Sequence, residues 1–181
     1  MTKSKPIIYT STGVKFDIFD PDLDDIRIED IAHALSNVCR YGGHSKEHYS
    51  VAQHSCIVSD YCSPENKLWG LLHDASEAYI GDVVAPLKHT EEFEFYLKVE
   101  EDLMNLVCEK FGLEYEAPEE IKYWDLVIRS TEIRDISSIP LYLIDRNYPP
   151  TDKIIHPLNP KESKERFLLK FHQLNLRKLD W

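Results

Sequence analysis

The sequence predicts an all-α fold of about six helices, preceded by a small N-terminal β-hairpin. Apolar residues recur at spacings of three and four over most of the chain, which is the pattern of helices with one buried face. Short β-rich runs occur within residues 1–20. A chain of 181 residues can bury a substantial core, so we expect one compact helical domain over residues 1–181.

The hairpin is predicted within residues 1–20. Ile7–Tyr9 and Val14–Ile18 are rich in β-branched and aromatic residues, and Gly13 lies in the turn between them. The helical core is then predicted over residues 25–136.

Five helices are predicted in this core from their apolar stripes and their end signals. Glycines follow the first, third and fourth of them, Ser50 caps the second, and prolines open the third and the fifth. The predicted spans are Ile28–Tyr41, Ser50–Cys62, Pro64–Ile80, Phe93–Phe111 and Pro118–Ile136.

The rest of the chain is predicted to form a loop and one more helix. Five of the ten prolines fall within residues 137–160, so this segment is expected to be an irregular surface loop. The last helix is expected within residues 161–181, mainly over Lys161–Leu174, where Phe167 and Phe171 share one face.

Composition and charge argue against several classes of partner. The net charge is −11 and the acidic residues are spread along the chain, so no basic stripe is available for a nucleic acid polymer. No apolar run approaches the roughly 18 residues of a membrane span, and Met1–Pro6 lacks the apolar core of a signal peptide. The four cysteines form no C-x-x-C pair and are expected to be reduced thiols. We therefore expect a cytoplasmic protein without nucleic-acid or membrane partners.

The stretch LLHDASEAYIGD places four ionisable residues at the end of an apolar helix. Glu77 is four residues after His73 and three after Asp74, so these side chains share one helix face, and Asp82 follows closely. Imidazole and carboxylate groups are suitable ligands for Mn, Fe, Co, Ni or Zn. The alternative is a solvated face, with His73 and Glu77 pointing outward and Asp74 in a surface ion pair.

Two other predicted helices supply further candidate ligands. His54 lies among apolar residues in YSVAQHSCIV, where the alternative is a hydrogen-bonded core histidine. Asp125 has apolar neighbours and shares a face with Glu132, seven residues on, with Arg129 near both. The alternative here is an intrahelical ladder of ion pairs, which suits Glu132 better than Asp125.

The order of His54, His73-Asp74 and Asp125 on successive helical segments resembles the HD superfamily of metal-dependent phosphohydrolases. Within it, HDASEAYIGDVVAPLK is similar to the motif of the YfbR-like bacterial 5′-deoxynucleotidases and of phage-type HD proteins, some of which are dATP triphosphohydrolases. DIAHALSNVCRYGGH and YSVAQHS resemble the phage-type branch in particular. The resemblance covers about Thr10 to Asp135.

This resemblance implies an all-helical HD fold that holds a divalent transition metal ion, Mn, Co, Zn, Fe or Ni. It implies Glu77 and Asp82 as catalytic or supporting carboxylates. Glu77 and Asp82 could help to hold a second ion such as Mg. The implied metal ligands are His54, His73, Asp74 and Asp125.

Four more residues are candidates for binding the substrate: Arg40, Tyr41, His44 and Lys88. The family pattern places a phosphate-facing arginine at Arg40 and a phosphate-side lysine at Lys88, and Tyr41 can stack on a base or sugar. The alternatives are a helix-end cation, a surface charge and a core-edge aromatic, respectively. His44 and His48 are further candidates for contacts with phosphate.

The predicted reaction is metal-assisted hydrolysis of a phosphate ester or anhydride in a nucleotide, with Glu77 as general acid/base and Asp82 as an orienting group. Few cations are identifiable near the metal, which favours a deoxynucleoside monophosphate over a deoxynucleoside triphosphate such as dATP. A nucleotide-sensing binding module is the non-enzymatic alternative. The expected partners are a small-molecule nucleotide and further copies of the chain in a homo-oligomer.

Overall fold

A computed structural model of the chain describes residues 5–178. Within that range the chain is mainly helical and its two short strands form one antiparallel sheet. The predicted all-α class with an N-terminal hairpin is therefore confirmed. The predicted hairpin and last helix also extend over residues 1–4 and 179–181, which lie outside the described residues.

The secondary structure elements follow one another from hairpin to C-terminal helix. The strands are β1 (Ile7–Tyr9) and β2 (Lys15–Asp17), with Ile8 opposite Phe16. The helices are α1 (Ile28–Asn37), α2 (Val51–Tyr61), α3 (Lys67–Leu72), α4 (Glu77–Ile80), α5 (Ala85–Lys88), α6 (Glu94–Phe111), α7 (Glu119–Asp135) and α8 (Pro160–Lys178). Short 3-10 turns occur at Leu23–Asp25, Arg40–Gly43, Glu91–Phe93 and Leu141–Leu143.

Helix α2 lies in the middle of the helical packing, in contact with α1, α3, α7 and α8. Apolar residues from these helices fill the core, and Ile31, Leu35, Leu71 and Phe167 are completely buried. Burial of each such side chain stabilises the fold by roughly 1.5–3 kcal/mol. No described helix has the length and apolar character needed to cross a membrane, and the four cysteines, all within the described range, are free thiols.

The hairpin is fixed to the helices at its turn. Asp30, near the start of α1, accepts hydrogen bonds from the Ser11 hydroxyl at 2.6 Å, from the Thr12 backbone N–H at 2.8 Å and from the Thr12 hydroxyl at 2.7 Å. On the sheet, Phe16 is completely buried and stacks on Tyr79 with ring centroids 4.1 Å apart. The N-terminal strands therefore cover one side of the core.

The first predicted helix is too long. Helix α1 ends at Asn37, and Val38 is extended, with φ −76° and ψ 117°. Cys39 then forms an isolated β-bridge with Ser50. The apolar pattern continues past Asn37 because Val38 packs against the core as extended chain, and periodicity alone does not distinguish this from a helix.

Arg40 consequently lies in a separate turn and not at the end of a helix. Tyr41 and Gly42 in this turn both have a φ of 58°. A left-handed conformation is ordinary for glycine and costly for tyrosine. The surrounding contacts of Tyr41 must hold it there.

The third predicted helix is interrupted. Helix α3 begins at Lys67, after a turn that contains Pro64, and ends at Leu72, and the chain then winds as tight turns with i to i+3 hydrogen bonds until α4 begins at Glu77. In such turns the side chains at i and i+3 are eclipsed, so Asp74 and Glu77 still lie on one side. The other predicted helices and the 137–160 loop are found within a few residues of their predicted bounds.

Helices α2 and α3 approach each other closely at Gly70. A Cβ atom at this position would lie 2.7 Å from Cys62 Sγ and 3.1 Å from Ser59 Cα. Glycine is therefore needed for this approach. It brings His54, on α2, and His73, at the end of α3, to a ring-centroid distance of 5.3 Å.

Candidate metal centre

The four predicted metal ligands converge at one point. His54, His73 and Asp74 each offer one ligand atom, and these atoms lie within 4.8 Å of one another. Asp125 joins them from α7, with its Oδ1 3.0 Å from His54 Nε2. Asp74 Oδ2 lies 3.2 Å from His73 Nε2. Two imidazoles and two carboxylates thus surround one position.

Each imidazole is held through its Nδ1 atom. His54 Nδ1 lies 2.6 Å from Glu132 Oε1, and His73 Nδ1 lies 2.9 Å from the Gly70 carbonyl oxygen. Both partners are acceptors, so Nδ1 carries the proton in each ring and the lone pair of a neutral ring lies on Nε2.

The two Nε2 atoms are buried, and the carboxylate oxygens 3.0 Å from His54 Nε2 and 3.2 Å from His73 Nε2 are not aligned for a hydrogen bond. A buried polar atom without a well-aligned partner is costly, and a metal ion is a partner that both nitrogens and both carboxylates could share. An N₂O₂ ligand set with each imidazole supported through Nδ1 fits a divalent transition metal. The side chains present therefore fit the metal that the sequence implies.

The electrostatics of the cluster favour positive charge. Burial lowers the pKa of His73, but the Asp74 carboxylate more than offsets this and raises the pKa to about 9. Burial acts against ionisation of the carboxylates, yet the neighbouring imidazoles and Arg40 lower the pKa of Asp74 strongly and that of Asp125 to about 2. The ligand carboxylates are therefore ionised and attract a cation.

Glu77 lies beside the ligands and is 5% exposed. Burial, followed by the charges of Asp74 and Asp82, raises the pKa of Glu77 to about 9. Its Oε1 accepts a hydrogen bond from Lys88, whereas its Oε2 is buried without a hydrogen-bond partner in the described part of the chain. Asp82 is half-buried nearby, and its pKa is raised mainly by burial. Both carboxylates thus lie beside the candidate ligands, where they could donate or accept a proton in a reaction at the metal position.

Lys88 lies at the site but is not a free cation. Its Nζ is 3.1 Å from Glu77 Oε1 and 2.7 Å from Glu100 Oε1. The expected contact of Lys88 with phosphate would therefore compete with two carboxylates. Glu100, which comes from α6, was not predicted as a site residue.

Arg40 contacts three carboxylates. Its guanidinium nitrogens lie 3.5 Å from Asp74 Oδ2, 3.9 Å from Asp125 Oδ1 and 3.4 Å from Glu132 Oε2. The side chain is mostly buried and lines the same cavity as Asp74 and Asp125. Arg40 is therefore adjacent to the ligand set, as a phosphate-binding arginine must be.

Glu132 is a site residue that sequence reasoning assigned to an intrahelical ladder. The structure pairs it instead with Arg40, His54, Tyr41 and Tyr49. The ladder prediction fails because these partners belong to distant segments. The seven-residue spacing from Asp125 was the available signal, since it places both carboxylates on the same face of α7.

A cavity of about 850 Å³ opens over the ligands. It is large enough for a nucleotide-sized molecule. Eight of the predicted site residues line it, namely Arg40, Tyr41, His44, Asp74, Glu77, Asp82, Lys88 and Asp125. His54 and His73 do not line this cavity.

The cavity also has lining residues that were not predicted as site residues, although Arg129 was noted as a neighbour of Asp125 and Glu132. Lys122 and Arg129 are exposed on α7, three residues before and four residues after Asp125, and this spacing could have identified them. Neither side chain forms an ion pair or hydrogen bond with another described residue. Apolar lining is supplied by Val83, Val84, Ala85, Pro86, Leu126, Ile139 and Pro140. Exposed His89 also lines the cavity.

His48 lies apart from this cavity. Its Nε2 is 3.2 Å from the Ser36 carbonyl oxygen and its Nδ1 is 3.4 Å from Cys39 Sγ. It therefore supports the chain between α1 and α2 and is not a phosphate contact.

The fold and the site define a mainly helical protein with a His–Asp cluster able to hold a metal ion. The chain is 37% identical over 175 residues to the uncharacterized protein YfdR of Escherichia coli strain K12, covering 94% of this chain and 97% of YfdR. It belongs to the same family as YfdR. It is also 37% identical over 120 residues to an uncharacterized protein of Rhodobacter capsulatus, covering 61% of each. No protein-family model matches the sequence.

Proposed function

We propose that this protein is a metal-dependent phosphohydrolase that acts on (deoxy)nucleotides. The observation that carries the proposal is the convergence of His54 Nε2, His73 Nε2, Asp74 and Asp125 beneath a nucleotide-sized cavity. The resemblance to HD phosphohydrolases supplies the reaction class. A divalent metal held there would polarise a phosphoryl oxygen and lower the pKa of a water molecule.

The other side chains have roles that follow from their positions. Glu77 is the general acid/base, because it is buried beside the ligands with one oxygen free of hydrogen bonds. Asp82 orients water or the leaving oxygen from the cavity wall. The Arg40 guanidinium offsets negative charge on the phosphoryl group, since two of its nitrogens already face ligand carboxylates.

The first candidate substrate is a deoxynucleoside monophosphate, with inorganic phosphate as the product. Arg40 and Lys88 are the cations nearest the ligands, and both are largely neutralised by carboxylates. A single phosphate dianion therefore matches the charge next to the metal position. The apolar lining of the cavity suits a base or sugar.

The second candidate is a deoxynucleoside triphosphate, such as dATP, with triphosphate as the product. Lys122 and Arg129 favour it, because two cations without ion-pair partners in the described range line the same cavity. The cation count that favoured the monophosphate omitted them. They lie about one helical turn before and one turn after Asp125 on α7, so they could contact phosphates beyond the one next to the metal.

A nucleotide panel tests the proposal. Deoxynucleoside mono- and triphosphates are incubated with the protein and Mn²⁺, Co²⁺, Mg²⁺ or Zn²⁺, and inorganic phosphate and triphosphate are measured separately. The variant Asp74→Ala, purified in parallel, controls for contaminating phosphatases. We expect metal-dependent release from the unaltered protein alone. Nucleotide binding without any release would instead support a nucleotide-sensing module.

A further inference from the structure

The two carboxylate oxygens of Glu132 contact two different parts of the site. Oε1 lies 2.6 Å from Nδ1 of His54 and accepts a hydrogen bond from the Tyr49 hydroxyl at 2.8 Å. Oε2 accepts from the Tyr41 hydroxyl at 2.5 Å and lies 3.4 Å from Nε of Arg40. One oxygen therefore faces a metal ligand, and the other faces the candidate phosphate-binding turn.

Glu132 is held as a buried anion by these contacts. It is completely buried, and its two oxygens face the Arg40 guanidinium, the His54 imidazole and two tyrosine hydroxyls. A buried carboxylate persists only when its lone pairs are matched by donors. Here four donors, all distant in sequence from Glu132, provide that match.

The contact at Oε2 also accounts for the left-handed backbone of the turn that contains Arg40 and Tyr41. Tyr41 adopts a φ of 58°, and its hydroxyl hydrogen bond to Glu132 holds the turn that carries Arg40. The backbone N–H of Arg40 is fixed separately, by the Tyr49 carbonyl oxygen at 3.0 Å. The side chain and backbone of Arg40 are thus both tied to the Glu132 cluster.

We propose that Glu132 is a positioning residue with divided roles, in which Oε1 sets the affinity for the metal and Oε2 sets the affinity for the phosphate. The identities of metal and phosphate rest on the proposed function. Carboxylates that support metal-bound imidazoles typically change metal affinity by about 10- to 100-fold when they are replaced. Because one carboxylate contacts both the ligand His54 and the phosphate-side Arg40, the binding of metal and of phosphate is coupled through a single side chain.

Three variants separate the two roles. Glu132→Gln offers one acceptor oxygen for two sets of donors, so both affinities should fall, the metal affinity by about 10- to 100-fold. Tyr49→Phe removes a donor on the Oε1 side only and should weaken metal binding by roughly three- to tenfold. Tyr41→Phe removes a donor on the Oε2 side only and should weaken phosphate binding by a similar factor.

Binding is measured without turnover. Mn²⁺ affinity is measured by titration with detection of free Mn²⁺ by electron paramagnetic resonance, and affinity for inorganic phosphate by calorimetry on the Mn²⁺-loaded protein. Tyr79→Phe is the matched control, since it removes a buried tyrosine hydroxyl from a ring that packs on Phe16. This control should leave both affinities unchanged.

The proposal is supported if Tyr49→Phe weakens only Mn²⁺ binding and Tyr41→Phe weakens only phosphate binding, even if Glu132→Gln does not fold. Equal effects of both variants on both affinities, or a fall in melting temperature alone, overturn it. If the affinities divide as expected but no nucleotide is hydrolysed, the proposed function fails and the role of Glu132 stands. Failure of the unaltered protein to bind Mn²⁺ overturns both.

Discussion

Lys88 Nζ lies 3.1 Å from Glu77 Oε1, so a predicted phosphate-binding lysine is paired with the predicted catalytic carboxylate. Glu100 Oε1 lies 2.7 Å from the same Nζ. These two contacts join α4, α5 and α6 at the cavity wall and engage one oxygen of Glu77. The remaining oxygen is the one available for proton transfer.

Glu77→Ala should retain the metal and lose about 10²–10⁴ in turnover, the usual contribution of a positioned acid or base. Metal content by elemental analysis and turnover of the hydrolysed nucleotide are measured on the same sample. Glu100→Gln is the control for loss of a nearby carboxylate outside the metal position. A metal-free Glu77→Ala protein would make Glu77 a ligand instead.

Protein purified without chelator should contain about one equivalent of a divalent transition metal, because two imidazoles and two carboxylates meet at one position. Dialysis against EDTA should abolish hydrolysis, and added Mn²⁺ or Co²⁺ should restore it. Asp74→Ala should lose metal and turnover together. Full turnover after verified removal of the metal would contradict this role for the cluster.

Arg40→Ala should reduce turnover by about 10²–10³ for every base alike, since its guanidinium faces the phosphoryl position and not the base. Arg40→Lys keeps the charge but not the fork of donors that reaches Glu132 and Asp74, and we expect an intermediate loss. Kinetics are compared across four deoxynucleotides. A loss confined to one base would place Arg40 at the base instead.

Replacement of both Lys122 and Arg129 by Ala distinguishes the candidate substrates. If the triphosphate is the substrate, KM for it should rise roughly tenfold or more, because charge-assisted contacts are lost. KM for a monophosphate should change little. Lys98→Ala, an exposed lysine of α6 paired with Asp102, is the control. Unchanged KM for both nucleotides would remove the support that these cations give to the triphosphate.

Asp30→Asn should destabilise the protein by about 1–3 kcal/mol at neutral pH, since a buried acceptor of three hydrogen bonds is altered. Burial opposes ionisation of Asp30, but the Ser11 and Thr12 hydrogen bonds outweigh it and lower the pKa below the ordinary 3.8. A carboxyl group whose pKa is lower in the folded than in the unfolded state stabilises the fold at pH values above its unfolded pKa. This stabilisation is lost as the pH falls through its folded pKa.

The difference in unfolding free energy between Asp30→Asn and the unaltered protein should therefore shrink as the pH falls below about 4. Chemical denaturation at several pH values measures it. Asp24→Asn, at an exposed position before α1, should show little change at any pH. A pH-independent difference would show that the Asp30 charge is not involved.

The sequence predicted the parts of the site that lie in local patterns. His73, Asp74 and Glu77 are adjacent along the chain, and the spacing argument survives the break between α3 and α4 because tight turns also place i and i+3 on one side. Asp125 was singled out by its apolar neighbours. The structure brings these residues together with His54.

What the sequence could not predict depends on contacts between distant segments. The partners of Glu132 lie 78, 83, 91 and 92 residues away, and no periodicity within α7 carries that information. The early end of α1 has a similar origin, because the bridge between Cys39 and Ser50 overrides the helical pattern. Pairing of Lys88 with Glu100 likewise follows from tertiary packing of α5 on α6.

The absence of a side chain at Gly70 keeps the candidate metal ligands His54 and His73 at their present distance. Ligand distances must be kept within about 0.2 Å for a divalent ion to bind well, and a methyl group at Gly70 would lie 3.1 Å from Ser59 Cα, so α3 would have to retreat. The Gly70 carbonyl oxygen holds His73 Nδ1, and the shift would pass directly to the imidazole. A substitution at this interior position, remote from solvent and from the cavity, would therefore register first as weaker retention of the proposed metal ion.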